Sequence, residues 1–159
     1  MKKILLILAS ILLVWFGVKK LIYSLASAET QIRWRLEEMV EGFNETRKRS
    51  VMAGFDRTYA DARGYTRDEI GRYLSHLFLG YIDSETKKFT LSVSMPEDDL
   101  LIEIHETEPP TATVQARFLI MEGTEEYWDL SLTGDLEDDE DGWQFVRTRD
   151  VNHADRARR

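Results

Sequence analysis

The spacing of apolar residues changes near Lys87, and that change constrains the fold of this chain more than any single motif. Before it, apolar side chains recur three and four apart; beyond it, they alternate with polar ones. Helices first, then strands with one apolar face each, is the order of an α+β domain whose antiparallel sheet curls around a helical layer.

Ile32, Leu36, Met39, Val40 and Phe43 stack on one face of a first helix, with Trp34 on the opposite side. Met52, Phe55 and Tyr59 have the spacing of a second helix over Ser50 to Arg63, which Gly64 ends. Thr66 and Glu69 then form a capping box, opening a third helix through about Tyr81 with Ile70, Leu74, Leu77, Phe78 and Tyr81 inward.

Phe89, Leu91, Val93 and Met95 define a first strand; Leu100, Ile102 and Ile104 a second, after the acidic turn Pro96 to Asp99. Ala112, Val114, Ala116, Phe118 and Ile120 make the third inward set and Trp128, Leu130 and Leu132 the fourth. A hairpin loop runs from Asp138 to Gly142, and Trp143, Phe145 and Val146 open the last strand. The expectation is one core, in which Phe89, Leu91, Ile102, Val114, Phe118, Leu130 and Leu132 face Leu36, Val40, Leu74 and Phe78. Residues 152–159 lack apolar periodicity and are expected to fray.

The N-terminus supplies an address. Lys2 and Lys3 precede an uncharged, largely apolar run from Ile4 to Val18, about 22 Å of helix; continuing to Tyr23 gives about 30 Å, enough to cross a hydrocarbon core, with Lys19 and Lys20 snorkelling at the exit. Residues 1–28 are therefore read as a membrane anchor and residues 29–151 as the domain, with one helix continuing from Ile4 to about Lys48, since neither Pro nor Gly interrupts residues 18–41. A cleaved signal peptide ending at Ala26-Ser27-Ala28 is the competing reading; Lys19 and Lys20 are awkward for its cleavage region. Counting Lys and Arg beside the span alone would keep the domain cytoplasmic, but the short Lys-paired start has the form of an export signal. The expected location is the outer side of a bacterial cytoplasmic membrane.

All 29 acidic residues lie at or beyond Glu29, leaving the domain with 17 basic residues and a net charge of −12. Such a domain lacks the basic footprint of a nucleic-acid binder. With no cysteine, disulfides, thiol nucleophiles and thiolate metal sites are excluded.

The helix Gln31 to Phe43, the stretch from Phe55 to Asp61 running into Gly64 to Ile70, and the closing Trp128 and Asp141-Gly142-Trp143 hairpin resemble the nuclear transport factor 2-like (NTF2-like) superfamily. The resemblance covers Glu29 to Val151 and implies a cone of about three helices packed on a curved sheet. It implies no single activity, because such cones host isomerases, dehydratases, small-ligand binders and envelope assembly modules. Enzymes of the ketosteroid isomerase kind place an Asp base and a Tyr or protonated Asp donor in an apolar pocket. That resemblance points to Tyr59, Asp61 and Tyr65, with Asp56 nearby, as the nearest catalytic candidates; the same residues would also serve as caps and packing at a helix junction.

No cofactor and no metal site is expected. His76, His105 and His153 lack ligand-spaced neighbours. Placing Glu137, Asp139, Asp141 and Gly142 at the first positions of a calcium loop puts Thr148 where a bidentate Glu is required, so the loop reads as a solvated turn. Asn44-Glu45-Thr46 is a glycosylation sequon only in a eukaryotic secretory setting. The expected function is a non-catalytic binding module for a protein partner or small apolar ligand; the alternatives are an enzyme using the cone pocket and a structural part of an envelope assembly.

Overall fold

A computed structural model describes residues 25–154 together with Val18, Ile22 and Tyr23, except for the side chains of Tyr127 and residues 150–154. Most of the expected anchor, and residues 155–159, lie outside the described residues.

Helix α1 is Ala28–Asn44. Ser27 is extended (ψ 153°) and its hydroxyl accepts a hydrogen bond from the Thr30 N–H at 3.3 Å. That N-cap breaks the single helix expected to run from the anchor into the domain, by satisfying a free amide at a new helix start. The preceding segment comes back beside α1: the Tyr23 and Trp34 rings lie 6.2 Å apart. At the other end, Asn44 bonds Val93 twice, Nδ2 donating to its carbonyl at 2.9 Å and Oδ1 accepting from its N–H at 2.7 Å. The sequon amide is thus a tie between helix and sheet.

The second helix is shorter than its spacing predicts. Helix α2, Lys48–Ala53, stops at Gly54, and Phe55–Asp61 is a strand, β1. Phe55 and Tyr59 are four apart, a separation that puts two residues on one side of a helix and equally on one face of a strand. The strand wins because the last strand, β6 (Gly142–Ala154), offers it a partner: β1 pairs in parallel with β6, Phe55 opposite Phe145 and Asp61 opposite Thr148, with an irregularity between. The sheet is therefore mixed rather than wholly antiparallel. Helix α3, Arg67–Gly80, follows as expected, its start closed by Glu69, whose carboxylate accepts from the Thr66 N–H at 2.8 Å and hydroxyl at 2.9 Å.

The remaining strands are β2 Leu91–Ser94, β3 Leu101–His105, β4 Thr111–Glu122, β5 Glu125–Asp139 and β6 Gly142–Ala154. Their order is β1-β6-β5-β4-β2, with β3 also on β4. The two short strands are halves of one edge, parted by the turn Glu97–Asp99. Phe89 lies before β2, bridged to Ile82, and Ile104 is exposed at the far end of β3 instead of reaching the core. Strand β6 runs on through Ala154, so the described part of the segment from Asn152 is paired with β5.

Two groups of buried residues replace the single expected core. One centres on Ile32, Leu36, Val114, Leu136, Trp143 and Phe145; the other on Val51, Leu74, Leu77, Phe78 and Leu91. Phe55 and Ile70 pack against both and join them. Leu130, expected at the centre, is only half-buried and belongs to neither. Val40 is likewise half-buried outside them.

Candidate functional site

The three candidate residues of the sequence do not converge on a cavity. Tyr59 is buried on β1, and its hydroxyl pairs with Thr148 Oγ1 of β6 at 2.8 Å. Asp61 ends β1, where Oδ1 accepts from the backbone N–H groups of Arg63 and Tyr65, each at 2.8 Å, an Asx-type turn. Tyr65 is exposed. Asp56, at the start of the same strand, accepts from Thr58 through both hydroxyl and N–H, which together hold its carboxyl below the usual range.

The concave face of the sheet is filled. Ile32 and Leu36 from α1 meet Val114, Leu136, Trp143 and Phe145, all 2% exposed or less. Asp138, assigned to a loop by the sequence reading, continues β5 in phase with Leu136 opposite Trp143, so one carboxylate does stand at the inward edge. Burial and the neighbouring Asp139 raise its pKa. Tyr23 and Arg35 both lie against Gly142, at the turn that follows Asp138. On the outer face Arg117 forks onto Asp129, Nε to Oδ1 at 2.8 Å and Nη2 to Oδ2 at 2.7 Å, and reaches Asp99 at 3.1 Å. Asp129 points outward as its strand phase predicts, yet it is buried under that guanidinium.

The arrangement with free valence is a groove of about 600 Å³ between the helices and the tip of the β5–β6 hairpin. Arg35, Arg49, Arg57 and Arg67 line it, from four different elements. Arg67 is held by backbone carbonyls, Nε donating to Phe55 O at 2.9 Å and Nη2 to Met52 O at 3.1 Å. Arg35 is held across the groove by Trp143 O at 3.2 Å and Asp141 O at 2.9 Å, with Glu38 beside it at 3.1 Å. Among the described residues, Arg49, Arg57 and Arg67 have no carboxylate within ion-pair distance, whereas Arg33, Arg72 and Arg149 each have one and Arg47 and Arg117 each have two. Asp139, Glu140 and Asp141 form the opposite lip.

As a sequence the chain matches no protein-family model and no curated protein. Its structure is similar to a cystatin-like domain of unknown function from Nostoc punctiforme, at 15% identity and TM-score 0.58 over 76% of this chain and 74% of that one. It is also similar to NTF2-like proteins of unknown function from Pseudomonas putida (12% identity, TM-score 0.59, 77% and 84% covered) and Shewanella oneidensis (17%, 0.52, 74% and 93%). The chain has the NTF2-like fold.

Within that NTF2-like cone, the interior offers packing and the groove offers charge. Tyr59 illustrates the first. Burial raises its phenol above the ordinary value of 10.0, the Thr148 bond offsets part of this, and the charge of Asp61 adds to it. A raised folded-state pKa means stability that is intact below about pH 10 and is lost as the pH climbs through the folded value. Tyr59→Phe should therefore cost about 1–2 kcal/mol at pH 7, by orphaning the Thr148 hydroxyl, and should flatten the alkaline loss. Urea titrations of both proteins between pH 7 and pH 11 check it; an unchanged alkaline slope refutes the assignment.

Chemically, the groove presents guanidinium donors and carboxylates, with no hydroxyl, thiol or imidazole among its described lining. That set suits binding. Sequence reasoning missed it because Arg49, Arg57 and Arg67 share no local spacing and meet only when α2, β1 and α3 fold together.

Proposed function

We propose that this chain is a membrane-anchored NTF2-like domain, displayed outside the cytoplasm of a bacterial cell, that works as a non-catalytic binding module. The observation that carries the reading is the closed interior: Trp143, Phe145, Leu136, Ile32 and Leu36 occupy the space in which a cone enzyme would hold its substrate. Tyr59, the one candidate acid of the sequence that is buried, is committed to Thr148. The anchor rests on the charged start and apolar run of residues 1–23. No helix among the described residues is long and apolar enough to cross a membrane, and the expected span lies outside them.

Fractionation tests the proposal. Protein from cells should pellet with membranes, resist carbonate extraction and carry residues 1–28 by intact mass, and protease added to spheroplasts should remove the domain. A mature chain beginning at Glu29 would replace anchoring with secretion, and protection from protease would reverse the orientation.

A further inference from the structure

The groove between the helices and the hairpin has two walls of opposite charge. On one stand Arg49, Arg57 and Arg67, with the Asp56 carboxylate among them tied to Thr58; on the other, Asp139, Glu140 and Asp141. Arg67 is the fixed point, because two backbone carbonyls orient its guanidinium without neutralising it. Little rotamer freedom remains to be lost when it meets an anion, and three of its five N–H groups are still available. Arg49 and Arg57 are exposed at the rim with no carboxylate partner among the described residues, in a chain of net charge −8.

A carboxylate is satisfied by one guanidinium fork, whereas a phosphate offers more oxygens and suits several. A bare anion, however, would meet the acidic lip. We propose that this groove seats a phosphate-linked ammonium group, the chemistry of phosphoethanolamine, with the phosphate on Arg67, Arg49 and Arg57 and the ammonium toward Glu140 and Asp141. Arg35 places the seat. It lines the same groove and meets Tyr23, the last residue of the expected span, at Gly142, so the groove sits at the end of the domain that the span enters. A free phosphoethanolamine and a lipid headgroup share this chemistry. The inference rests on the binding-module reading, but its test does not depend on anchoring.

The test is calorimetric titration of the full chain in a nonionic detergent with phosphoethanolamine, inorganic phosphate, ethanolamine and glycine. Phosphoethanolamine should bind about 10-fold more tightly than phosphate, and ethanolamine and glycine more weakly than either. The double variant R49Q/R57Q should weaken phosphoethanolamine and phosphate alike by about 10-fold. The double variant E140Q/D141N should instead bring phosphoethanolamine to the level of phosphate. None of these four side chains has a hydrogen bond or ion pair within the described protein, so melting temperatures should not move. In nanodiscs, a lower apparent affinity for soluble phosphoethanolamine with phosphatidylethanolamine than with phosphatidylglycerol assigns the lipid as the source; equal affinity assigns the free solute. Equal binding of phosphate and phosphoethanolamine, tighter binding of glycine, no binding, or wild-type affinity in R49Q/R57Q overturns the proposal. Secretion of a chain cleaved at Glu29 would defeat the anchoring reading and leave this result standing.

Discussion

Replacing Trp143 by Ala should cost about 3–5 kcal/mol, while replacing it by Phe should cost under about 1 kcal/mol. Trp143 is 1% exposed and packs between α1 and the sheet, so truncation to Ala leaves a large hole that the rigid β5–β6 pairing cannot collapse. Phe retains most of that volume. The indole Nε1 is moreover buried with no hydrogen-bond partner among the described residues. An unsatisfied buried donor costs about 1–3 kcal/mol, and Phe removes it, offsetting the packing lost with the smaller ring. Urea unfolding of both variants measures the difference. A Phe variant as unstable as the Ala variant would mean that the indole N–H has a partner in solution.

How much of this fold was legible depends on whether local pattern and tertiary partner agree. Helices α1 and α3 were read because their apolar stripes and, in α3, the Thr66 and Glu69 cap point one way at every level. The phase of β4 was read for the same reason: Ala112, Val114 and Ala116 alternate inward and are all buried. So was the turn at Gly142, whose φ is 83°. Strand β1 was not, because a spacing of four fits both periods and the deciding contact is a parallel pairing to residues about ninety positions later in the chain. The break at Ser27 was hidden differently. Ala26-Ser27-Ala28 reads as a cleavage site, and the same serine is also an N-cap.

The site follows the same rule. The resemblance drew attention to Tyr59, Asp61 and Tyr65, and folding separates them into a core hydroxyl pair, a turn and an exposed ring. What it assembles instead is a set of arginines from elements that have no sequence relation to one another. Local patterns encode strands and caps. They do not encode which unpaired cations will share a wall.

Gly134→Ala should destabilise the domain by about 1–3 kcal/mol, a large effect for one added methyl group. This glycine lies within β5 between two register shifts, and the Phe145 ring of β6 occupies the space that a side chain here would fill. A Cβ there would stand 2.5 Å from Phe145 Cε1 and 2.7 Å from Cδ1, well inside van der Waals contact. Phe145 cannot yield, because it is 2% exposed and packed among core residues, with the Phe55 ring 6.0 Å away. A lone glycine inside a strand pattern is the sequence mark of such close approach, and here it lies opposite the stretch in which β6 carries two extra residues, Val146 and Arg149. The double variant G134A/F145L supplies the control. Leu removes the flat ring that the new Cβ strikes, so in a double-mutant cycle the Ala substitution should cost less in the Leu background than in the wild type, by at least about 1 kcal/mol. If the cost is equal in both backgrounds, the glycine is required for its backbone freedom and not for the ring.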